Sequence, residues 1–139
     1  MKLPIVSMGL PRPLEIEETP VTAPFWQGLQ SGDFLLSTCN ECGRRSFPPK
    51  AICPSCHHQD FHWAQSSGQG VIYSLTRIQN SPPIYGLLTP TTLAIVDLED
   101  GIRLLCRVLP GPKPAEVGSL CQLVITKHPD GWYFGTRLL

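Results

Sequence analysis

Apolar positions in the second half of this chain recur mostly at every second residue, in short runs broken by proline, glycine and polar turns. That is the spacing of half-buried strands, not of helices. Five such runs are present. Val71–Ile78 largely alternates, Thr92–Leu98 is nearly continuous, and Ile102–Val108 follows a Glu99-Asp100-Gly101 turn. Leu120–Thr126 leads into Pro129-Asp130-Gly131, and Trp132–Leu138 returns from it. Hairpins joining the second run to the third and the fourth to the fifth fit a small closed barrel of the OB type. The long connections are 79–90 and 109–119. The first displays Ile84, Tyr85, Leu87 and Leu88 among prolines, which suits a partner interface or a lid folded over the barrel end.

The first half is patterned differently. Phe34–Thr38, Ser46–Pro49 and Phe61–Ala64 are three short strand-like runs interleaved with cysteine pairs. Ahead of them one helix is predicted over residues 23–30. Thr22 can cap it, Pro24 sits in its first turn, Phe25 and Leu29 share a face, and Gly32 suits the exit. Trp26 beside Phe25 gives so short an element more apolar surface than one face can hide, so both are candidate interface residues. Residues 1 to about 20 are punctuated by proline and predict an extended arm with no regular element. Ser66-Ser67-Gly68-Gln69-Gly70 reads as a flexible joint.

Composition agrees with a mostly β chain, since fifteen prolines and twelve glycines in 139 residues leave little room for long helices. Eleven basic residues balance eleven acidic ones, so no global field draws the protein toward a polyanion or an anionic membrane. The first nine residues lack the apolar core of a signal peptide, and no stretch has the length of a membrane span. A cytoplasmic location is expected, and a reducing compartment suits six cysteines left as thiols.

Four of those cysteines form the sharpest motif. Cys39-Asn-Glu-Cys42 is followed ten residues later by Cys53-Pro-Ser-Cys56, and each C-x-x-C turn aims two sulfurs the same way. Such a pair predicts one tetrahedral Zn²⁺ per chain in a structural site with no open position for water or substrate, a pair of disulfides being the alternative. Gly43, after the first knuckle, suits a positive φ. Cys106 and Cys121 lie in apolar runs and read as small buried hydrophobes. His57, His58, His62 and His128 read as solvated surface residues, the first two with a second role as thiolate partners. Arg44, Arg45 and Lys50 cluster beside the knuckles and can contact CoA or an acidic partner surface. The chain therefore divides into an arm and short helix (1–32), a rubredoxin-like zinc ribbon (33–66) and a five-stranded OB-fold barrel (67–139).

The order of these parts resembles the family of zinc-ribbon/OB-fold acyl-CoA-associated proteins, long carried as a domain of unknown function. The residues that carry the resemblance are Phe25-Trp26-Gln27-Gly28, Cys39 to Cys56 with Phe47-Pro48-Pro49, Ser67-Gly68-Gln69-Gly70-Val71-Ile72-Tyr73-Ser74, and Asp97-Leu98-Glu99-Asp100-Gly101, within about 22–137. Two positions depart from it: Lys50 stands where the family often has arginine, and Tyr133-Phe134-Gly135-Thr136-Arg137 lacks its usual Phe-x-Pro ending. The resemblance implies a non-catalytic accessory subunit of a thiolase-fold enzyme, as in thiolase and synthase assemblies, steroid side-chain aldolases and a phloroglucinol acetyltransferase complex. It also implies a hetero-oligomer, with CoA or acyl-CoA near the interface. Neither Cys106 nor Cys121 has an adjacent base, and no G-x-S-x-G or phosphate-binding glycine fingerprint is present, so the isolated chain reads as a non-enzyme. Two rival readings are a free-standing CoA or acyl-CoA binder and an OB-fold nucleic-acid module, the second disfavoured by the neutral charge.

Overall fold

The computed structural model describes residues 2–12, 16–80 and 90–139. In chain order its elements are β1 (Ile5–Ser7), α1 (Ala23–Gln30), β2 (Leu35–Cys39), β3 (Arg45–Ser46) and β4 (Phe61–Gln65). Then come β5 (Gln69–Ile78), β6 (Thr91–Leu98), β7 (Arg103–Val108), β8 (Leu120–His128) and β9 (Gly131–Leu138). The architecture is the expected one, a ribbon followed by a closed five-stranded barrel.

Alternation in sequence becomes alternation in burial. In β7, Leu104, Cys106 and Val108 are buried while Arg103 and Leu105 face solvent. The barrel runs β8-β5-β6-β7-β9 and closes through β8–β9. Its narrowest seam is the parallel pairing of β7 with β9 at Val108 and Thr136. A bulge between Ile72 and Ser74 bends β5 so that it can serve both β6 and β8. Strands β2, β3 and β4 form a separate antiparallel sheet in the order β3-β2-β4.

Two expectations need correction. The N-terminal arm is not without regular structure: β1 pairs in parallel with Ile125–Lys127 of β8, on the edge that β5 uses only at Leu120–Gln122. The arm is fastened further by bonds from Leu3 N to Gly32 O (2.8 Å), Met8 N to Lys127 O (2.8 Å) and Arg12 N to Asp130 Oδ1 (2.8 Å). Nor is the 66–70 segment a loose joint. Ser66 is buried and its hydroxyl donates to Asp100, Ser67 bonds Glu99, and Gly68 O accepts the Leu123 amide at 2.8 Å.

The helix has the expected extent, but its start is built differently. Thr22 makes no side-chain cap; instead Thr19 and Thr22 exchange bonds, and Thr19 O accepts the amides of Thr22 and Ala23. At the exit Gly32 takes φ +84°, with Asp33 N bonded to Gly28 O and Gly32 N to Leu29 O, the double closure of a Schellman turn. Phe25 and Leu29 are almost completely buried, as their shared face requires.

Helix, ribbon and barrel share one core. Phe25 lies 5.1 Å from Phe34, 5.3 Å from Phe47 and 6.1 Å from Phe134, each in an edge-to-face arrangement. These rings come from α1, the entry to β2, the exit from β3 and from β9. Each such pair contributes about 0.5–1.5 kcal/mol beyond the area it buries.

Candidate metal centre

Both C-x-x-C segments adopt the same backbone loop. Gly43 N bonds Cys39 O (3.0 Å) and Cys39 N bonds Arg44 O (2.9 Å); likewise His57 N bonds Cys53 O (2.9 Å) and Cys53 N bonds His58 O (2.9 Å). The residue after each second cysteine is left-handed, Gly43 at φ +77° as expected and His57 at φ +66°. Sequence reasoning missed the second, because histidine gives no signal for that conformation.

These loops converge their four thiols. All four sulfurs lie within 4.8 Å of one another, with Cys39···Cys56 and Cys42···Cys53 each at 3.5 Å. A tetrahedral site with metal–sulfur bonds near 2.3 Å has sulfur–sulfur edges of about 3.8 Å, so the donor set fits a thiolate-loving dication. A disulfide needs its sulfurs near 2.05 Å, and all six cysteines of the chain are free. The four cysteines are therefore positioned to bind a metal ion.

Electrostatics of the cluster agree. The amides of Cys42 and Glu41 point at the Cys39 sulfur and lower its pKa, and those of Cys56 and Ser55 bring Cys53 down to about 6. At Cys56 the His58 amide favours the thiolate, but burial and the sulfurs of Cys39, Cys42 and Cys53 outweigh it and push the thiol up to about 12. Four thiolates so close need a cation among them. His58 Nδ1 lies 3.3 Å from Cys56 Sγ, in reach to donate to it, and His62 bonds Asn40.

The other expected site residues fall into three groups. Phe25 is 1% exposed, so it is core and not a partner contact. Trp26 is half-buried against Phe25 and stacks on Tyr133 at 5.9 Å. Ile84, Tyr85, Leu87 and Leu88 lie outside the described residues. Arg44, Arg45 and Lys50 do come together, lining a cleft of about 630 Å³ between the ribbon and the β6–β7 turn. Within it Arg44 donates to Ser55 (2.6 Å) and Arg45 pairs with Asp100 (3.1 Å), which fastens ribbon to barrel; Lys50 has no partner among the described residues.

Cys106 and Cys121 are buried as expected, Cys106 pushed up to about 12 by desolvation and then by Cys121. His128 is not the surface residue expected. It is buried, with Nε2 2.8 Å from the Thr126 hydroxyl and Nδ1 2.8 Å from Leu10 O, so it holds the arm.

An apolar surface that the sequence did not single out lies on the outside of the barrel. Strand register puts Leu120, Val71, Ile95 and Leu105 on one face of β8-β5-β6-β7. Tyr73 joins them, with the Arg103 guanidinium 3.7 Å above its ring. Tyr73, Leu105 and Leu120 are 53%, 60% and 61% exposed. The signal was present as alternating runs with apolar residues on both faces, but the outer set was hidden among the inner one.

A four-thiol ribbon joined to a closed five-stranded barrel defines the class of zinc-ribbon/OB-fold proteins. Residues 26–62 match the model of the ChsH2 rubredoxin-like zinc ribbon domain and residues 63–126 that of the ChsH2 C-terminal OB-fold domain, so the chain belongs to the ChsH2 (DUF35) family. It is 31% identical over 94 residues to a DUF35 domain-containing scaffold protein of Methanocaldococcus jannaschii, a match covering 66% of each chain. It is 29% identical over 96 residues to the 3-oxo-4,17-pregnadiene-20-carboxyl-CoA hydratase alpha subunit of Mycobacterium tuberculosis, covering 69% of this chain and 30% of that one. Among solved structures, a chain of the Ltp2-ChsH2(DUF35) aldolase superposes with a TM-score of 0.78 at 22% identity, over 89% of this chain and 98% of that one. The chain thus spans about two-thirds of the first relative, under a third of the second, and nearly all of the solved chain. Among the described residues, no helix is long and apolar enough to cross a membrane.

Proposed function

We propose that this protein is a non-catalytic, zinc-binding accessory subunit that assembles with a thiolase-fold acyl-transferring enzyme. The observation that carries the reading is the outward apolar face of the barrel, Val71, Tyr73, Leu105 and Leu120, displayed on a rigid sheet with a single Asp97–Arg103 pair among them. Names support it as well: one relative is a scaffold protein, another is a subunit of an acyl-CoA hydratase, and the solved chain sits in an aldolase.

In this reading the metal is Zn²⁺, one per chain, held by Cys39, Cys42, Cys53 and Cys56. It supplies cross-linking of the two knuckles and no chemistry, because four thiolates fill its preferred coordination. The segments 33–66 and 67–139 act as one rigid body with the arm and helix of 1–32. Lys50, with Arg44 and Arg45 behind it, contacts a carboxylate surface of the partner or the phosphates of CoA. The location is cytoplasmic.

The test is co-expression with a thiolase-fold protein from the native host, followed by purification on a tag carried by this chain. We expect a stoichiometric complex, and weaker binding of the partner when Leu105→Glu or Leu120→Glu is introduced while bound zinc and thermal unfolding stay unchanged. A monomer that retains no thiolase-fold protein, or a complex indifferent to both variants, would sink the proposal. Binding of CoA by the isolated chain at the Lys50 cleft would favour the free-standing alternative.

A further inference from the structure

Within the cysteine cluster, two close sulfur–sulfur approaches cross from one knuckle to the other: Cys42 lies 3.5 Å from Cys53, and Cys39 lies 3.5 Å from Cys56. Each joins a more accessible cysteine to a closed-in one. Cys42 is exposed while Cys53 is 0% exposed, and Cys56 is half-buried while Cys39 is 1% exposed. A closed structural site needs only that four thiolates converge. An accessible thiolate with a second sulfur in reach behind it is also the arrangement of a redox-active cysteine pair.

Of the two, Cys42 and Cys53 are the better placed. Gly43 and Pro54, the residues that follow them, both line the cleft of about 630 Å³ between ribbon and barrel. A Cβ at Gly43 would meet nothing within 4 Å, so the first knuckle is open on that side. Arg44, Arg45, Lys50 and Arg103 line the same cleft with one carboxylate, Asp100, an electropositive setting that favours a reactive sulfur at its wall. Cys56, by contrast, has His58 Nδ1 against its sulfur at 3.3 Å. Cys106 and Cys121 are poor competitors, since they are 4% and 0% exposed and burial raises both pKa values.

We propose, on the reading of the cluster as a zinc site, that it is a redox-sensitive clasp: hydrogen peroxide oxidises Cys42 and Cys53 to a disulfide that replaces the metal in joining the two knuckles. The Cys42 thiolate attacks the peroxide O–O bond and becomes a sulfenic acid as hydroxide leaves. The Cys53 thiolate then attacks that sulfur, forming the S–S bond and expelling a second hydroxide. Two electrons pass from the sulfurs to the peroxide, and two protons from solvent turn both hydroxides into water. The sulfurs close from 3.5 Å to about 2.05 Å, a movement within the range of side-chain rotation. Cys39 and Cys56 are then the only thiolates left, too few to keep Zn²⁺, so the metal is released. The knuckles stay joined, now by a covalent bond between residues 11 apart in the chain.

Treatment of the zinc-loaded full chain with hydrogen peroxide in about tenfold molar excess tests it. Released metal is read with a chromogenic zinc chelator, and cysteine linkages by mass spectrometry of alkylated, non-reduced peptides. We expect zinc to leave in step with the loss of a pair of thiols, a Cys42–Cys53 linked peptide as the first product, and reversal by dithiothreitol with added zinc. Cys106 and Cys121 should be alkylated only after denaturation. The oxidised chain should unfold at a higher urea concentration than the reduced chain stripped by a chelator, because its knuckles remain joined. Cys42→Ser, where it loads zinc, should release it about tenfold more slowly or less; where it does not load, the wild-type linkage map decides. Zinc retained under peroxide overturns the proposal. So does a first linkage within one knuckle, between Cys39 and Cys56, between two chains, or to Cys106 or Cys121. A purified chain that carries no zinc overturns the metal reading as well, and metal analysis before oxidation tells that failure from this one.

Discussion

His57 occupies the left-handed position that Gly43 fills in the other knuckle, with matching hydrogen bonds on both sides. For a residue with a Cβ that conformation costs about 1–2 kcal/mol, partly offset by the lower chain entropy of histidine when unfolded. Replacing His57 with glycine should therefore raise stability by about 0.5–1 kcal/mol with zinc content unchanged, measured by urea unfolding of the metal-loaded protein. The opposite change, Gly43→Val, should lower it. Asp97 supplies a second residue-level expectation. Arg103 donates to it from Nε at 2.6 Å and from Nη2 at 3.0 Å, and these bonds hold the carboxyl below its ordinary value. A lowered carboxylate pKa stabilises the fold above the unfolded value of about 3.9, and the contribution fades as pH falls through the lower folded value. Unfolding midpoints of the wild type and Asp97→Asn should differ at neutral pH and converge in acid; because both side chains are substantially exposed, the difference is small and shrinks with salt.

At the scale of elements, what could be read in advance depended on where each element's partner lies. The helix, the ribbon strands and both barrel hairpins are set by local signals: Pro24 and Gly32 bracket α1, and Gly101 and Gly131 sit in the turns of the hairpins. Strand β1 has no such signal. It is three residues long, and its regularity comes from the edge of β8, some 120 residues away, left free where β5 turns aside. Ser66–Gly70 reads as flexible by composition, yet Asp100, Glu99 and Leu123 fix it from three directions. The four cysteines were legible because spacing alone dictates their convergence, while the outer apolar face appears only once register and topology bring separate strands together. The arm's contribution can be measured directly. Leu3 is 5% exposed in the shared core, so Leu3→Ala should cost about 2–3 kcal/mol in urea unfolding and raise amide exchange of Ile125 and Lys127, whereas an arm that merely rests on the surface would show neither.

At the scale of the molecule, the metal cluster should stabilise the barrel as well as the ribbon. Phe47 leaves β3 a few residues from the first knuckle and touches Phe25 at 5.3 Å, Phe34 at 5.4 Å and Phe134 at 5.7 Å. Arg45, beside it, pairs with Asp100 in the β6–β7 turn. Removing the bound metal loosens the two knuckles, because the crowded thiols then repel or reprotonate and the exposed Arg44–Ser55 hydrogen bond is left to link them. Segment 45–53 is then held by β2, the Arg45–Asp100 pair and the Phe47 ring contacts without the metal's anchor, and Phe47 is fixed less firmly over Phe134. Losing one such ring from a core costs about 3–5 kcal/mol when it is deleted by mutation, a sizeable part of the stability of a domain this size. Chelation, or Cys39→Ser, should therefore lower the melting of β9 together with that of β2–β4, seen as loss of amide dispersion at Phe134 and Thr136 at the same temperature as at Leu36 and Ser37. A ribbon that melts alone above an intact barrel with an unchanged midpoint would show that the aromatic cluster is a contact surface between two independent units. In that case the ribbon is free to reorient on a partner, and the Arg45–Asp100 pair would be the contact to break next.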